Sequence, residues 1–481
     1  MIVADGVRAD VLAEEIDAGR TPALAALRDA GGLHEISAAF PSVTGPAYVP
    51  FVMGRHPAHA GMPGLRWYDR ARSLRWSPAQ ARSYSGIDIW HTDPDLDPTM
   101  PTLFELARPS LAGLMMIGRG STHGRIGRGV GWMFRAGFVH FRGDLLGWRR
   151  VERAAIDEFM RRFARVRPRL AMMGVLSPDK FAHAYGGEAE VVREGIRDVD
   201  AAVARAIRIA EEGGWRESLR IWVVGDHGHA PVSQHDDLHG WLVARGHRVL
   251  AHPHLNVRNA DLALMVGGNA MAHVYLEPAQ RRRAWWPTLA PRWEPLLSGL
   301  LERPSVDLVA VAIDAHTVRV HQAQRGWAEI RRTHAGHEAR WSYHTMGGDP
   351  LQVGGTLEQL DADAAWHASE GTPYSDAIVQ LSSLVPTPRG GDLVISAAPD
   401  WDLRARFEPT PHVSTHGALL RSQMTVPLLL DAPPRQRPQR TTDVVPSALD
   451  VLGIERTAAA EGTTGAGAIV FDGRSFFPRT R

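Results

Sequence analysis

Two mainly apolar runs constrain the fold of this chain most strongly. Residues 170–176 and 219–224 are almost entirely apolar, a pattern typical of strands covered on both faces. Each run is preceded by an amphipathic segment with helical spacing, at residues 151–166 and 188–212. A short strand at residues 1–4, followed by a helical segment, begins the same alternation. The sequence therefore predicts an α/β fold, a three-layer α/β/α sandwich around a mostly parallel central sheet.

The middle of the chain differs in composition and in its pattern of apolar residues. Between residues 231 and 390, His and Trp are frequent, apolar runs are short, and Gly and Pro interrupt the pattern often. We expect residues 1–230 and 391–481 to form the core, and residues 231–390 to be partly core and partly an inserted cap that binds substrate. The central sheet is expected to resume with strands at residues 393–397 and 426–430.

Composition excludes several classes of protein. The formal net charge of +1 over 481 residues leaves no basic footprint for nucleic acid. No run of 18 apolar residues exists, so no membrane span is predicted. No signal peptide is visible, which predicts a cytoplasmic protein, with export as the alternative if the gene starts upstream of Met1. Because Cys is absent, any metal must be held by Asp, Glu or His. Composition does not determine the oligomeric state.

The stretch from Phe40 to Tyr48 combines a hydroxyl with a helix start. Pro46 suits the first position of a helix, and Gly45 supplies the turn before it. Thr44 would then lie at a helix N-terminus, where free N–H groups and the helix dipole favour an anion. Thr44 is therefore a candidate nucleophile toward a phosphate-like substrate, provided that another group takes its proton. The alternative is that Thr44 only caps the helix.

Acidic and imidazole side chains lie near the ends of predicted strands, mostly just beyond them, at the edge where open α/β sheets bind ligands. They are Asp5, Asp179, His183, Asp226, His227 and His416. The i, i+4 spacing of Asp179 and His183 puts both on one face of a helical turn. Taken singly, each residue could be an ordinary cap, surface pair or turn. Together with Thr44 they supply enough oxygen and nitrogen ligands for two first-row metal ions.

These motifs resemble the type I phosphodiesterase/nucleotide pyrophosphatase branch of the alkaline phosphatase superfamily. The matching segments, in chain order, are Val3-Ala4-Asp5-Gly6, Phe40-Pro41-Ser42-Val43-Thr44, Pro178-Asp179 with His183, Asp226-His227-Gly228 and Thr415-His416-Gly417. The resemblance implies two divalent metal ions, zinc first and manganese as the alternative. It implies one metal on Asp5, Asp226, His227 and the Thr44 oxygen, and the other on Asp179, His183 and His416. It also implies a small phosphorylated substrate, cleaved at a phosphodiester or pyrophosphate bond through a phospho-threonine intermediate.

One departure from the family bears on the substrate. Nucleotide pyrophosphatases carry an Asn shortly after the nucleophile helix, and alignment on Tyr68-Asp69 puts Leu65 at that place. The neighbouring Arg66 is the candidate for the missing phosphoryl contact, with a surface role as the alternative. Phosphonate hydrolysis, as of phosphonoacetate, and transfer of a phospho-alcohol group are the enzymatic alternatives. A catalytically inactive protein that binds a phosphorylated ligand is the alternative of another class.

Overall fold

A seven-stranded sheet forms the centre of the molecule. The computed structural model describes residues 1–71, 80–334, 336–404, 412–456 and 469–478. The strands, in order across this sheet, are β2 (Leu33–Ser37), β21 (Thr425–Leu429), β8 (Val223–Gly225), β1 (Ile2–Ala4), β7 (Leu170–Val175), β5 (Ser110–Gly113) and β6 (Arg125–Ile126). Strands β8, β1, β7, β5 and β6 are parallel, and β21 is antiparallel to both of its neighbours. The predicted mostly parallel central sheet is confirmed.

Helices cover both faces of this sheet. The helices of the described residues, of which α10 to α13 pack with the second sheet instead, are α1 (Ala9–Asp17), α2 (Pro22–Gly31), α3 (Val49–Met53), α4 (Thr92–Asp95), α5 (Leu103–Leu106), α6 (Val130–Phe141), α7 (Leu145–Val166), α8 (Ser177–Tyr185), α9 (Glu190–Glu212), α10 (Leu238–Ala244), α11 (Trp286–Leu301), α12 (Ala362–Glu370), α13 (Ala377–Leu384), α14 (Arg421–Met424) and α15 (Val444–Val451). Ile2 and Ala4 of β1 face a core with α1, α2, α7 and α9, whereas Val3 faces one with α3 and α15. This alternation is the pleat of a sheet buried on both faces, which confirms the three layers.

A second sheet has nine strands. In order they are β10 (Val249–Ala251), β11 (Leu262–Gly267), β12 (Met271–Leu276), β18 (Leu393–Ala397), β13 (Val306–Ala312), β14 (Thr317–Gln322), β15 (Gly326–Thr333), β16 (Arg340–Thr345) and β17 (Leu357–Leu360). The expectation that residues 393–397 belong to the central sheet is therefore wrong, because β18 pairs with β12 and β13. The strand expected at residues 426–430 does join the central sheet, as β21.

Two small sheets complete the fold. They are β19–β9–β20, from Asp400–Asp402, Ala230–His235 and Ser414–Thr415, and the β3–β4 hairpin, from Arg66–Tyr68 and Ala81–Ser83. In the first, β20 runs antiparallel to β9 and pairs Thr415 with Ala230. This pairing brings the segment before His416 against the segment that follows β8. Among the described residues, no helix combines the length and apolar character that a bilayer crossing requires.

Candidate metal centre and nucleophile

Three buried carboxylates lie together at the carboxyl edge of the central sheet. Asp5 directly follows β1, Asp226 follows β8, and Asp179 lies in the first turn of α8, just after β7. Because β8, β1 and β7 are adjacent and parallel, their carboxyl ends meet at one edge. The exposed fractions of the three residues are 2%, 0% and 7%, respectively.

Gly6 permits this close approach. Its φ of +67° lies in the left-handed region, and its N–H donates to Asp226 Oδ1 at 3.0 Å. A Cβ at this position would lie 2.9 Å from the Cα of Asp179, closer than van der Waals contact allows. Only glycine therefore lets the turn after β1 pack against the start of α8.

Thr44 points into the same cluster. It precedes Gly45, whose φ is +101°, and a 3-10 turn at Pro46–Tyr48 that leads into α3. Thr44 Oγ1 lies 3.1 Å from Asp5 Oδ1 and 2.9 Å from His227 Nε2. No side-chain cap bond forms at this helix start, so the capping interpretation of Thr44 is wrong.

All three predicted histidines are oriented by hydrogen bonds at Nδ1. The Nδ1 atoms lie 3.0 Å from Ser414 O for His183, 2.8 Å from Ser42 O for His416 and 3.2 Å from Gly228 O for His227. A carbonyl oxygen only accepts, so each Nδ1 carries the proton and each Nε2 presents a lone pair. This is the orientation that metal-binding histidines adopt.

The Nε2 atoms of these histidines face other atoms that also present lone pairs. His183 Nε2 lies 3.2 Å from His416 Nε2, and these two atoms lie 3.4 Å and 3.6 Å from Asp179 Oδ1. His227 Nε2 lies 3.4 Å from both Asp5 Oδ1 and Asp226 Oδ2. Lone pairs that converge in this way repel one another unless a cation lies among them.

A fourth imidazole, His229, was not predicted as a site residue. The Ser414 hydroxyl donates to Ala230 O at 3.0 Å and so accepts from His229 Nδ1 at 3.1 Å. His229 Nε2 therefore presents its lone pair to Asp179 Oδ1, 2.9 Å away. The available signal was a second imidazole two residues after His227 in Asp226-His227-Gly228-His229.

Electrostatics of the cluster favour bound cations. Burial and the charges of Asp226 and Asp179 raise the pKa of Asp5 well above its usual value, and burial with the charge of Asp179 raises the pKa of Asp226 to about 7. Burial lowers the pKa of His227 to about 3, so that ring is neutral at pH 7. Asp226 Oδ2 is buried without a hydrogen-bond partner. Neutral imidazoles and uncompensated carboxylates are the donor set that divalent transition metals bind.

Two groups of side chains have ligand atoms close enough for one ion each. Within each group, one atom per residue lies within 4.8 Å of the others: Asp5, Asp226 and His227 in the first, and Asp179, His227, His229 and His416 in the second. His183 borders the second group through the contacts given above. The residues present thus fit two metal sites.

Arg66 bonds to the β3–β4 hairpin region and to β11. It begins β3, and its guanidinium donates to Ser83 Oγ and Ser85 Oγ at 3.3 Å and to Val266 O at 3.4 Å. These bonds do not involve Thr44 or the carboxylates. Leu65 approaches the nucleophile turn instead, since its Cδ1 would lie 3.7 Å from a Cβ at Gly45. The phosphoryl contact of Arg66 stays a prediction.

The fold and this cluster define a member of the alkaline phosphatase superfamily. The family described as "Type I phosphodiesterase / nucleotide pyrophosphatase" matches residues 1–419, and the chain belongs to that family. Family membership supports phosphoester hydrolysis. Among curated proteins, no sequence matches the chain.

Solved structures share the whole fold. Phosphonoacetate hydrolase from Sinorhizobium meliloti 1021, in complex with phosphonoformate, is 15% identical with a TM-score of 0.54, over 94% of each chain. Human ectonucleotide pyrophosphatase/phosphodiesterase 5 is 11% identical with a TM-score of 0.56, over 94% of each chain. An inactive threonine-to-alanine variant of the murine protein, in complex with AMP, is 12% identical with a TM-score of 0.55, over 94% of each chain. At these identities the likeness establishes the fold.

Proposed function

We propose that this chain is a two-metal hydrolase that cleaves a phosphodiester or pyrophosphate bond of a small substrate through a phospho-threonine intermediate on Thr44. The observation that carries the proposal is the position of Thr44 Oγ1, 3.1 Å from Asp5 and 2.9 Å from His227 at the edge of the ligand cluster. Membership of the phosphodiesterase family supports the same reaction class.

The ligands divide into two sets. Asp5, Asp226, His227 and the Thr44 oxygen would hold one ion. Asp179, His183 and His416 would hold the other, and His229 is a further candidate ligand for it because its lone pair faces Asp179. Zinc suits this nitrogen and oxygen set, with manganese as the alternative. When bound, the two cations supply positive charge at the attacking and leaving oxygens of an in-line displacement.

The chain itself contributes the nucleophile and its surroundings. The Thr44 hydroxyl gives up its proton to solvent, because its neighbours Asp5 Oδ1 and His227 Nε2, at 3.1 Å and 2.9 Å, would be occupied as ligands. The Thr44 oxygen then bonds to phosphorus as the bond to the leaving oxygen breaks, and that oxygen gains a proton. In the second half water attacks phosphorus, the bond to the Thr44 oxygen breaks, and that oxygen regains a proton. The product released from a diester is a phosphomonoester. The Tyr48 hydroxyl donates to Asp5 Oδ2 at 3.0 Å and holds that carboxylate in place.

Substitution of Thr44 tests the nucleophile. Thr44→Ala is expected to lower turnover of chromogenic phosphodiesters by about a thousandfold or more, because the step that forms the covalent intermediate is lost. Thr44→Ser keeps the hydroxyl and is the matched control, which should retain measurable turnover. A Thr44→Ala variant with most of its activity would remove Thr44 from the mechanism. Monoester and phosphonate substrates, assayed in parallel, separate the proposed reaction from phosphonate hydrolysis.

Metal content tests the two sites. The purified chain should bind two equivalents of zinc, as measured by elemental analysis. His416→Ala should lower the occupancy of one site, and His229→Gln should weaken zinc at that site by about tenfold or more. Unchanged metal content in His416→Ala would contradict the division into two sets. A binding protein without turnover is excluded if the metal-loaded wild type hydrolyses any of the esters.

A further inference from the structure

Helix α6 presents three phenylalanines to solvent, far from the metal ligands in sequence. The exposed fractions of Phe134, Phe138 and Phe141 are 76%, 63% and 76%, and Val130 and Leu146 are also exposed. At roughly 200 Å² for an aromatic residue, the three rings leave about 400 Å² of apolar surface in water. A patch of this size is as large as the largest patch on a typical monomer and marks an interaction site in many proteins.

The exposed rings lie on one face of the helix. At about 100° per residue, Val130, Phe134, Phe138 and Phe141 fall within about 80° of arc. The opposite face packs against the protein: Ala136 is buried. Trp132 meets Trp148 of α7 edge-on, with ring centroids 6.1 Å apart. Because α6 packs against the protein through this other face, the exposed rings are not the face that would bury it in the core.

Arginines border this apolar face. Viewed along the helix axis, Arg135 and Arg142 lie about 60° and 40° beyond Phe138. The Arg142 guanidinium lies 5.3 Å from the centroid of the Phe138 ring. The Arg150 side chain, near the start of α7, is 77% exposed. Residues 123–151 contain six arginines and one acidic residue, Asp144. Arg125 and Arg149 are ion-paired with acidic residues outside this stretch, so the positive charge beside the rings comes mainly from Arg135 and Arg142.

We propose that α6 binds flat on an anionic lipid surface. Phe134, Phe138 and Phe141 would enter the boundary between headgroups and acyl chains, and Arg135 and Arg142 would pair with lipid phosphates. The helix has 12 residues and is about 18 Å long, too short to cross a hydrocarbon core of about 30 Å. It can therefore lie on a membrane but not span one.

Charge favours a lipid surface over a second copy of the chain. A twofold interface centred on this face would bring the same arginines of both copies together, which is unfavourable. An anionic bilayer instead complements the charges of Arg135 and Arg142. On its buried side, α6 packs against Trp148 of α7, whose ring also contacts Lys180, with the ammonium 5.2 Å from the ring centroid. The inference is independent of the proposed chemistry.

Vesicle flotation with the full chain tests the proposal. The wild type is expected to float with vesicles made of equal parts phosphatidylcholine and phosphatidylglycerol, and to bind less as salt is raised. The combined variant Phe134→Ser, Phe138→Ser, Phe141→Ser should lower the bound fraction by about tenfold or more. The pair Arg135→Ala, Arg142→Ala should abolish the preference for anionic vesicles over phosphatidylcholine alone.

Matched controls separate the α6 face from general surface hydrophobicity. Val243 and Met346 are exposed elsewhere, at 47% and 57%, and Val243→Ser with Met346→Ser should float like the wild type. The triple Phe variant should keep wild-type hydrolysis of soluble esters, which verifies its fold. A wild type that leaves both kinds of vesicle unbound would overturn the proposal. So would a wild-type dimer that the triple variant converts to a monomer, because a second copy would then cover the face.

Discussion

Replacing Asp226 by Asn is expected to stabilise the metal-free protein. The Asp226 side chain is fully buried, its Oδ1 accepts the Gly6 N–H, and its Oδ2 has no hydrogen-bond partner. Asp226→Asn keeps the bond from Gly6. The new amide N–H can donate to the lone pair of His227 Nε2, which lies 3.4 Å from the Oδ2 position. The substitution thus removes a buried charge and gives the unpartnered position a hydrogen bond.

The magnitude follows from the pKa of Asp226, which burial and the charge of Asp179 raise from 3.8 to about 7. The folded protein holds this proton more tightly than the unfolded chain, so ionisation destabilises the fold. The cost is absent below about pH 4, grows as pH rises between the two pKa values, and is complete above about pH 7. At about 1.4 kcal/mol for each pH unit between the two values, it reaches about 4 kcal/mol.

Urea unfolding of chelator-treated protein measures this cost. At about pH 8 the free energy of unfolding of Asp226→Asn should exceed that of the wild type by up to about 4 kcal/mol, and the gap should close toward about pH 4. Added zinc should reverse the order, because the wild type binds it more tightly. A metal-free variant less stable than the wild type at about pH 8 would refute the reasoning.

Asp472→Asn is a control of opposite sign. Although burial opposes ionisation, His59 and Arg55 hold the pKa of Asp472 well below its usual value. Its charge therefore stabilises the fold at neutral pH, and this contribution is lost as pH falls through the depressed pKa. Asp472→Asn should lower the free energy of unfolding at about pH 8, with or without zinc.

Three further predictions concern single side chains. Gly6→Ala places a Cβ 2.9 Å from Asp179 Cα at a φ of +67°, so it should lower stability by about 1–3 kcal/mol and reduce zinc content, measured by thermal unfolding and elemental analysis. Tyr48→Phe removes the donor to Asp5 and should weaken zinc by about tenfold in competition with a chelator, without loss of fold. Asp376→Ala leaves the buried Arg440 without the carboxylate to which it donates two hydrogen bonds. It should lower the free energy of unfolding, measured by urea denaturation, by about 3–5 kcal/mol.

The sequence predicted the convergence of the carboxylates well, for a physical reason. Asp5, Asp179 and Asp226 each follow a strand of the parallel sheet, and parallel strands end at a common edge, so distance along the chain does not separate them. The alternative roles of Thr44 could not be separated from sequence alone. A cap and a nucleophile both place the hydroxyl at a helix start, and only the neighbours of Oγ1 distinguish them.

The sequence did not predict which sheet each strand joins or which residues support the candidate ligands. An apolar strand such as β18 shows burial on both faces but not which sheet it enters, because apolar periodicity is the same in either sheet. His229 was missed because its role depends on Ser414, nearly two hundred residues away. Arg66 donates to Ser83 and to the Val266 carbonyl, and its predicted contact with a phosphoryl group stays a prediction.

The order of the ligands along the chain has a consequence for biosynthesis. Asp5 belongs to the first strand, which lies in the middle of the central sheet and pairs with β7 and β8 from much later segments. His416 is supplied only after the whole second sheet has been made. A nascent chain on the ribosome therefore cannot assemble the complete proposed ligand set until the segment that carries His416 has emerged. Loading of the second proposed metal site, and the hydrolysis proposed to depend on it, would therefore be confined to molecules whose translation has passed His416.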